Sequence, residues 1–242
     1  MTIPETVVSF AGLNGMNNGD EPIVLKYMGT IEQWVQKPMI VFGEYSLYIK
    51  GELITDVVLD DIHYIEEGAF FLCTSLRSVV ITEDVTRIGC AAFYGCYNLE
   101  SITLPSLNLC DDASVNGRLE SLFGDEGSKK LKYVELTAAE YIAENAFTRC
   151  GYGYIFEAIK INKECKEIRE NAFYKCFALK NVEFEENSEL QSIATGAFQG
   201  CISLTSITIP ASVEHIEADC FDSYYMMACT IYCPHECGGQ IR

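Results

Sequence analysis

Four residues able to bind a soft metal fall within nine positions in CTIYCPHECGG: Cys229, Cys233, His235 and Cys237. Thiolate and imidazole are the usual donors to zinc. Cys233, however, matches the inward strand residue Ile209 of the preceding repeat, and ligands so closely spaced rarely close a tetrahedron alone. A frayed or disulfide-linked end is therefore favoured over a metal site, with the states of Cys220, Cys229, Cys233 and Cys237 left open. Histidine occurs only three times. His63 and His215 occupy equivalent loops and read as solvated residues, not as a catalytic pair. GxSxG, P-loop, HExxH and dinucleotide-binding patterns are all missing. The sequence thus predicts no enzyme, no cofactor and no metal.

Five of the other eight cysteines belong to a pattern. EEGAFFLC, CAAFYGC, ENAFTRC, ENAFYKC, TGAFQGC and ADCFDSY align on Phe70, Phe93, Phe147, Phe173, Phe198 and Phe221. These recur at intervals of 23 to 26 residues, apart from one gap of 54. An isoleucine stands five positions earlier in every copy: Ile65, Ile88, Ile142, Ile168, Ile193 and Ile216. Three positions later come Cys73, Cys96, Cys150, Cys176 and Cys201, with Tyr224 departing from the rule. Periods in the twenties mark solenoids, whose units bury apolar surface only by stacking on one another. All five cysteines share one interior position, so each is expected to be a buried thiol whose weak S–H reaches a carbonyl.

Past each cysteine the apolar period changes to two. LRSVVIT, LESITLP, LKYVELT, LKNVEFE and LTSITIP place alternate residues inward, which is strand periodicity. Seven strands are expected, beginning near Val57, Val79, Ile102, Val134, Ile159, Val182 and Ile207, with CTIYCP as a further, worn one. The apolar offsets around each phenylalanine fall on one helical face, so a helical turn is expected there. Irregular lengths are assigned to loops: FEENSEL carries two extra residues, AFTRCGYGYIFEAIKI three, and an insertion occupies roughly 105–130, with a turn at Leu119–Phe123. Residues 1–50 do not repeat. PIVLKYMG reads as a strand, TIEQWVQK as a short helix, and YSLYIKGELI as a hairpin about Lys50-Gly51. They are expected to cap repeats over 51–234, leaving 235–242 as a tail.

Seventeen basic and 35 acidic residues give the 242-residue chain a net charge of −18. Such a surface repels nucleic acid and anionic lipid. Nor is there an apolar run long enough for a membrane span. The start, MTIPETVVSF, has no basic and apolar leader. That fits either a cytosolic protein or a mature or excised piece of a longer chain.

The unit IxxxAFxxCxxLxxVxIP resembles the BspA-like subclass of leucine-rich repeats across about 51–234. YMGTIEQW and LYIKGELITDVVL resemble connecting segments between repeat blocks in large members of the same family, and LFGD followed by LKYVEL resembles an insertion seen in them. The resemblance implies an α/β repeat: a right-handed leucine-rich-repeat solenoid with a parallel strand face and short helical turns on its convex side. It also implies a secreted or cell-surface protein that holds an extracellular or host protein, or a glycan. A monomer is expected. The other reading is a structural spacer that projects further domains.

A partner's place is sought on the inner strand face, whose outward mid-strand residues are Val58, Val80, Thr103, Glu135, Lys160, Glu183 and Thr208. Thr103, Glu135, Lys160, Glu183 and Thr208 are the candidate binding residues, and a merely solvated sheet is the alternative. A second set, Phe71, Tyr94, Tyr174, Tyr97, Phe177 and Tyr225, is expected to pack over neighbouring coils, or else to form an exposed aromatic ledge.

Overall fold

The computed structural model describes residues 1–6, 10–11, 23–37, 39–40, 43–110, 118–124, 129–148, 156–221 and 229–233. Cys150, Tyr224, Tyr225, His235 and Cys237 lie outside these. The chain forms two compact units. One comprises Met1–Ile102, Leu109–Asn116 and Glu120–Leu131; the other comprises Thr103–Asn108, Gly117–Leu119 and Lys132–Arg242.

Each unit is a stack of parallel-stranded coils. In the first, Asp56–Leu59 pairs in parallel with Ser78–Ile81, residue for residue at the repeat register. In the second, Tyr133–Leu136, Ala158–Ile161 and Asn181–Phe184 pair in the same way. Each predicted strand is present, the worn one included, as Thr230–Tyr232 beside Ser206–Thr208. The conserved spacing of the isoleucines has its own ladder of two-residue strands. Tyr64–Ile65 joins Arg87–Ile88 in the first unit. Tyr141–Ile142, Glu167–Ile168, Ser192–Ile193 and His215–Ile216 follow one another in the second.

The phenylalanine segments are not helical turns. Among the described residues, α-helix is confined to Ile31–Val35 and Glu120–Phe123. Elsewhere the segment closes as successive tight turns: Ala172 N–H to Arg169, Tyr174 N–H to Asn171, and Cys176 N–H to Phe173. The alternate N–H groups point to the next coil, from Asn171 to Thr195, Phe173 to Ala197 and Lys175 to Gln199. Two residues before the phenylalanine the backbone is left-handed, at Gly68, Ala91, Asn145, Asn171, Gly196 and Asp219. Two residues after it the same holds at Leu72, Gly95, Lys175 and Gly200. An α-helix needs an unbroken run of right-handed residues, and these inversions forbid it. The recurrent Asn or Gly before Ala-Phe is the local signal, since these residues enter the left-handed region at least cost.

The rings stack. Phe70 and Phe93 lie 5.5 Å apart, and Phe123 follows at 6.1 Å from Phe93, filling the vacancy in the long gap. In the second unit Phe147, Phe173, Phe198 and Phe221 stand face to face at 4.9, 5.0 and 5.3 Å. The cysteines explain themselves in the same geometry. Cys96 donates its thiol to the carbonyl of Phe70, Cys176 to that of Phe147 and Cys201 to that of Phe173, at 3.1, 3.1 and 3.2 Å. Burial pushes the thiols of Cys73 and Cys96 above their ordinary range, and that of Cys165 up to about 11.

Parallel pairing also runs through the N-terminal segment. Ile23–Tyr27 lies between Thr2–Ile3 and Tyr45–Ile49. Tyr45–Ile49 then turns at Lys50-Gly51, both left-handed, into an antiparallel pair with Glu52–Leu53. The helix Ile31–Val35 begins in a capping box made by Thr30 and Gln33. It buries Trp34 completely between Tyr27 and Tyr45. Trp34 donates its indole N–H to the carbonyl of Ala69, 2.9 Å away, tying this segment to the first phenylalanine turn.

Two outcomes test the packing. Phe173, fully buried between two stacked rings, should cost about 3 to 5 kcal/mol when changed to Ala, and the loss should extend to neighbouring coils. A change under about 1 kcal/mol in denaturant melts would contradict this register. Cys73, Cys96, Cys176 and Cys201 should resist iodoacetamide in the native protein and react after unfolding without reductant. Mass-spectrometric detection of disulfides among them would overturn the thiol ladder.

Candidate functional site

The strand face of the second unit carries a row of polar side chains. Alternation sends Val134, Leu136, Ile159, Ile161 and Val182 into the core and leaves Glu135, Lys160 and Glu183 on the other face. The parallel register sets Glu135 opposite Lys160 and Lys160 opposite Glu183. Lys160 Nζ donates to Glu135 at 2.7 Å. Its second carboxylate is Glu185, at 3.6 Å, and not the Glu183 directly opposite. Thr103 completes the row by donating to Glu135 at 3.4 Å.

These contacts set the local electrostatics. The hydrogen bond that Lys160 donates to Glu135 and the two carboxylate charges hold its ammonium above the usual range. Tyr133, on the same strand as Glu135, is raised by burial and by Glu135 and Glu183, with Lys160 opposing. Glu185 is pinned twice, because its other oxygen accepts the main-chain N–H of Lys163 at 3.0 Å. The Glu183 side chain is exposed and makes no hydrogen bond or ion pair among the described residues. Thr208, the last of the sequence candidates, is exposed on Ser206–Thr208.

Between Glu183 and Thr208 the strand ladder is interrupted. Among the described residues Asn181–Phe184 ends its sheet, and Ser206–Thr208 pairs only with Thr230–Tyr232. The isoleucine ladder and the ring stack continue through the same coils, so the coils part on the strand side alone. Two features of sequence account for it. In other coils the residue after the strand closes the ladder, as Thr137 N–H does to Leu104 and Glu185 N–H to Ile161. Here that residue is Pro210, which has no N–H to give. The loop after Phe184 is also the one lengthened in FEENSEL. The parting leaves a cleft of ≈ 510 Å³ against Phe184, Asn181, Glu183, Thr208, Pro210 and Ser212.

Phe184 was not a candidate on sequence. The equivalent inward residues Leu136, Ile161 and Ile209 are no more than 3% exposed, whereas Phe184 is half-buried and meets the cleft. The other candidates are accounted for simply. His63 and His215 are exposed. Phe71 stacks on Tyr94 at 4.7 Å, and Lys129 and Lys175 lie over Tyr97 and Tyr174. The described members of the aromatic set are half-buried, packed by neighbours and not presented as an open ledge. No group of three or more metal-binding side chains comes together among the described residues. No helix there is long and apolar enough to cross a membrane.

Residues 41–113 and 123–234 match the family model of the BspA type leucine rich repeat region, in six copies. No curated protein matches the chain. Among solved structures it is similar to a leucine rich cell surface protein from Faecalibacterium prausnitzii A2-165, with 20% identity and a TM-score of 0.36, over 91% of this chain and 69% of that one. The pneumococcal vaccine antigen PcpA gives 18% identity and a TM-score of 0.35, over 78% of this chain and 38% of that one. A leucine-rich repeat protein from Bacteroides ovatus ATCC 8483 gives 17% and 0.30, over 87% of this chain and 59% of that one. The chain thus spans less than two thirds of the length of the last two.

Proposed function

We propose, for a chain that belongs to the BspA-type leucine-rich repeat family, a non-enzymatic binding module of a surface or secreted protein. Its partner is an extracellular or host protein, or a glycan, held along the inner strand face. The observation that carries this reading is the row Thr103, Glu135, Lys160 and Glu183, continued by Thr208 across the open ladder. Charged side chains on an exposed sheet add little to stability, so stability gives no strong reason for the row. A polar partner lying across the strands, by contrast, meets one side chain per coil at a spacing of about 4.8 Å. Glu183 and Thr208 offer acceptor and donor groups that the fold leaves unused. The acidic surface adds selectivity, because it disfavours polyanions and favours neutral or basic partners.

The spacer reading has less support. A passive spacer needs only the buried repeat positions, and it gives no account of an ion-paired lysine at mid-strand beside an unpaired glutamate. Surface localisation is part of the proposal, and membership of this repeat family supports it.

The test reverses the central charge. In K160E, Glu135 and Glu183 gain a like charge between them and Glu185 loses its cation, while the core is untouched. The variant should stay folded with a nearly unchanged melting temperature. It should lose about tenfold or more in affinity for a partner found by screening matrix proteins, mucins and glycans. Unaltered binding would remove the row from the site. A collapsed fold would make the lysine structural.

A further inference from the structure

We infer that the cleft between Asn181–Phe184 and Ser206–Thr208 is a carbohydrate subsite, taking one neutral pyranose ring of a glycan. The inference deepens the binding reading above and rests on it for biological context, but its evidence is separate. It begins with the backbone. Asn181 and Glu185 donate their N–H groups toward Glu157 and Ile161, so alternation turns the N–H and C=O of Val182 and Phe184 toward the open side. There no strand among the described residues supplies a ladder partner. Ser212 adds a hydroxyl oxygen that is shielded from solvent and has no hydrogen-bond partner among the described residues. Buried polar groups left without partners are costly and need an explanation. A ligand rich in hydroxyls supplies one, since each hydroxyl both donates and accepts.

The side chains complete the chemistry. Phe184 offers a half-buried ring, whose face carries the negative part of the aromatic quadrupole and attracts polarised C–H bonds such as those of a sugar face. Asn181 and Thr208 offer amide and hydroxyl groups, and Glu183 an unengaged acceptor. The volume of ≈ 510 Å³ lies within the range of small-molecule sites, about 300 to 1,000 Å³. Charge then selects among sugars. Among the described residues no cation lines this cleft, and Glu183 and Glu185 border it, with Lys160 already committed to Glu135 and Glu185. Uronic and sialic acids are therefore excluded, and neutral hexoses and N-acetylhexosamines accepted. An arginine or lysine side chain could also meet Phe184 and Glu183. It would leave unanswered the carbonyls' neighbours that need an acceptor, namely the N–H groups of Val182 and Phe184, because a cation only donates.

The experiment uses the chain as it stands and saturation-transfer NMR with defined probes. These are the methyl glycosides of glucose, galactose and mannose, N-acetylglucosamine, glucuronate, N-acetylneuraminate and an arginine-containing tripeptide. At least one neutral probe should bind with a dissociation constant on the order of 1 mM, and the two acidic sugars should not. F184L keeps an apolar side chain at the inward position and removes the ring face. S212A removes the shielded hydroxyl. Each should weaken the neutral probe about tenfold or more with the thermal melt retained. Absence of any neutral-sugar signal overturns the inference, as does binding unchanged in both variants, equal binding of glucuronate, or preference for the tripeptide. A sugar response with no K160E-sensitive partner would remove the row and leave the cleft. A K160E-sensitive partner with no sugar response would remove the cleft and leave the row.

Discussion

The whole architecture depends on where the N–H groups of the phenylalanine turns go. In each turn alternate N–H groups close the turn on itself, and the intervening ones can only be satisfied by carbonyls of the next coil. A single coil is thus left with unpaired donors, each costly to bury. Stacking is required by the backbone before any side chain is considered. That requirement fixes the side chains in turn. Intercoil hydrogen bonds of 2.6 to 3.2 Å through Gly68, Phe70 and Leu72 hold neighbouring coils at strand spacing. At that spacing alanine fits where a larger residue would collide, and phenylalanine rings meet face to face. The turn carbonyl of the phenylalanine retains a lone pair that the following coil's cysteine thiol fills. The Ala-Phe-x-x-Cys signature is the side-chain record of a backbone constraint.

The same constraint explains what the sequence revealed and what it concealed. Strands were legible because a period of two survives in every copy, and the hairpin at Lys50-Gly51 because it carries a turn signature of its own. Apolar periodicity alone reads the turns as helical. Offsets of −5, −1, 0 and +3 fit a helical face, yet the same residues face inward when left-handed positions reverse the chain every fourth residue. Asn145, Asn171 and Gly196 carried that information, and apolar periodicity has no means of weighing it. Phe123 was assigned to a helical turn but not to the ring stack, because its coil has lost the alanine and cysteine that mark the others. Among the candidate residues, the alignment of Glu135, Lys160 and Glu183 followed from strand register alone. The choice of Glu185 over Glu183 by Lys160 did not, because it depends on where the loop after Phe184 runs.

The distribution of polar groups separates binding surface from scaffold. On the flanks of the coils polar side chains serve the fold. Asn162, fully buried, uses its amide to satisfy both the N–H and the C=O of Ala139. Asn98 donates to Thr74, and Thr148 to Asn171. Each replaces a ladder bond where the backbone turns away. Where the strand ladder is continuous the backbone is already satisfied by its neighbours, so a polar side chain there has no such duty. Thr103, Glu135 and Lys160 engage one another, while Glu183 and Thr208 face solvent. In a repeat protein, side chains without a scaffold role concentrate where successive coils present equivalent positions, and a partner can read several coils at once.

Regularity also gives departures their meaning. Pro105 and Pro210 both follow a strand, so proline alone does not part the coils. At Pro210 the missing N–H coincides with the longer loop that precedes Leu190, and the two act in one direction. The first removes the bond that would draw the strands together, and the second supplies the chain needed to let them separate. The ring stack and the isoleucine ladder resist on the other side, which confines the opening to a wedge instead of splitting the solenoid. A cleft made this way costs little, because the core rows of Phe173, Phe198, Ile193 and Ile209 stay buried. Among Tyr133–Leu136, Ala158–Ile161 and Asn181–Phe184, Phe184 is the one inward residue that gives up full burial, and it does so where its strand lines the cleft.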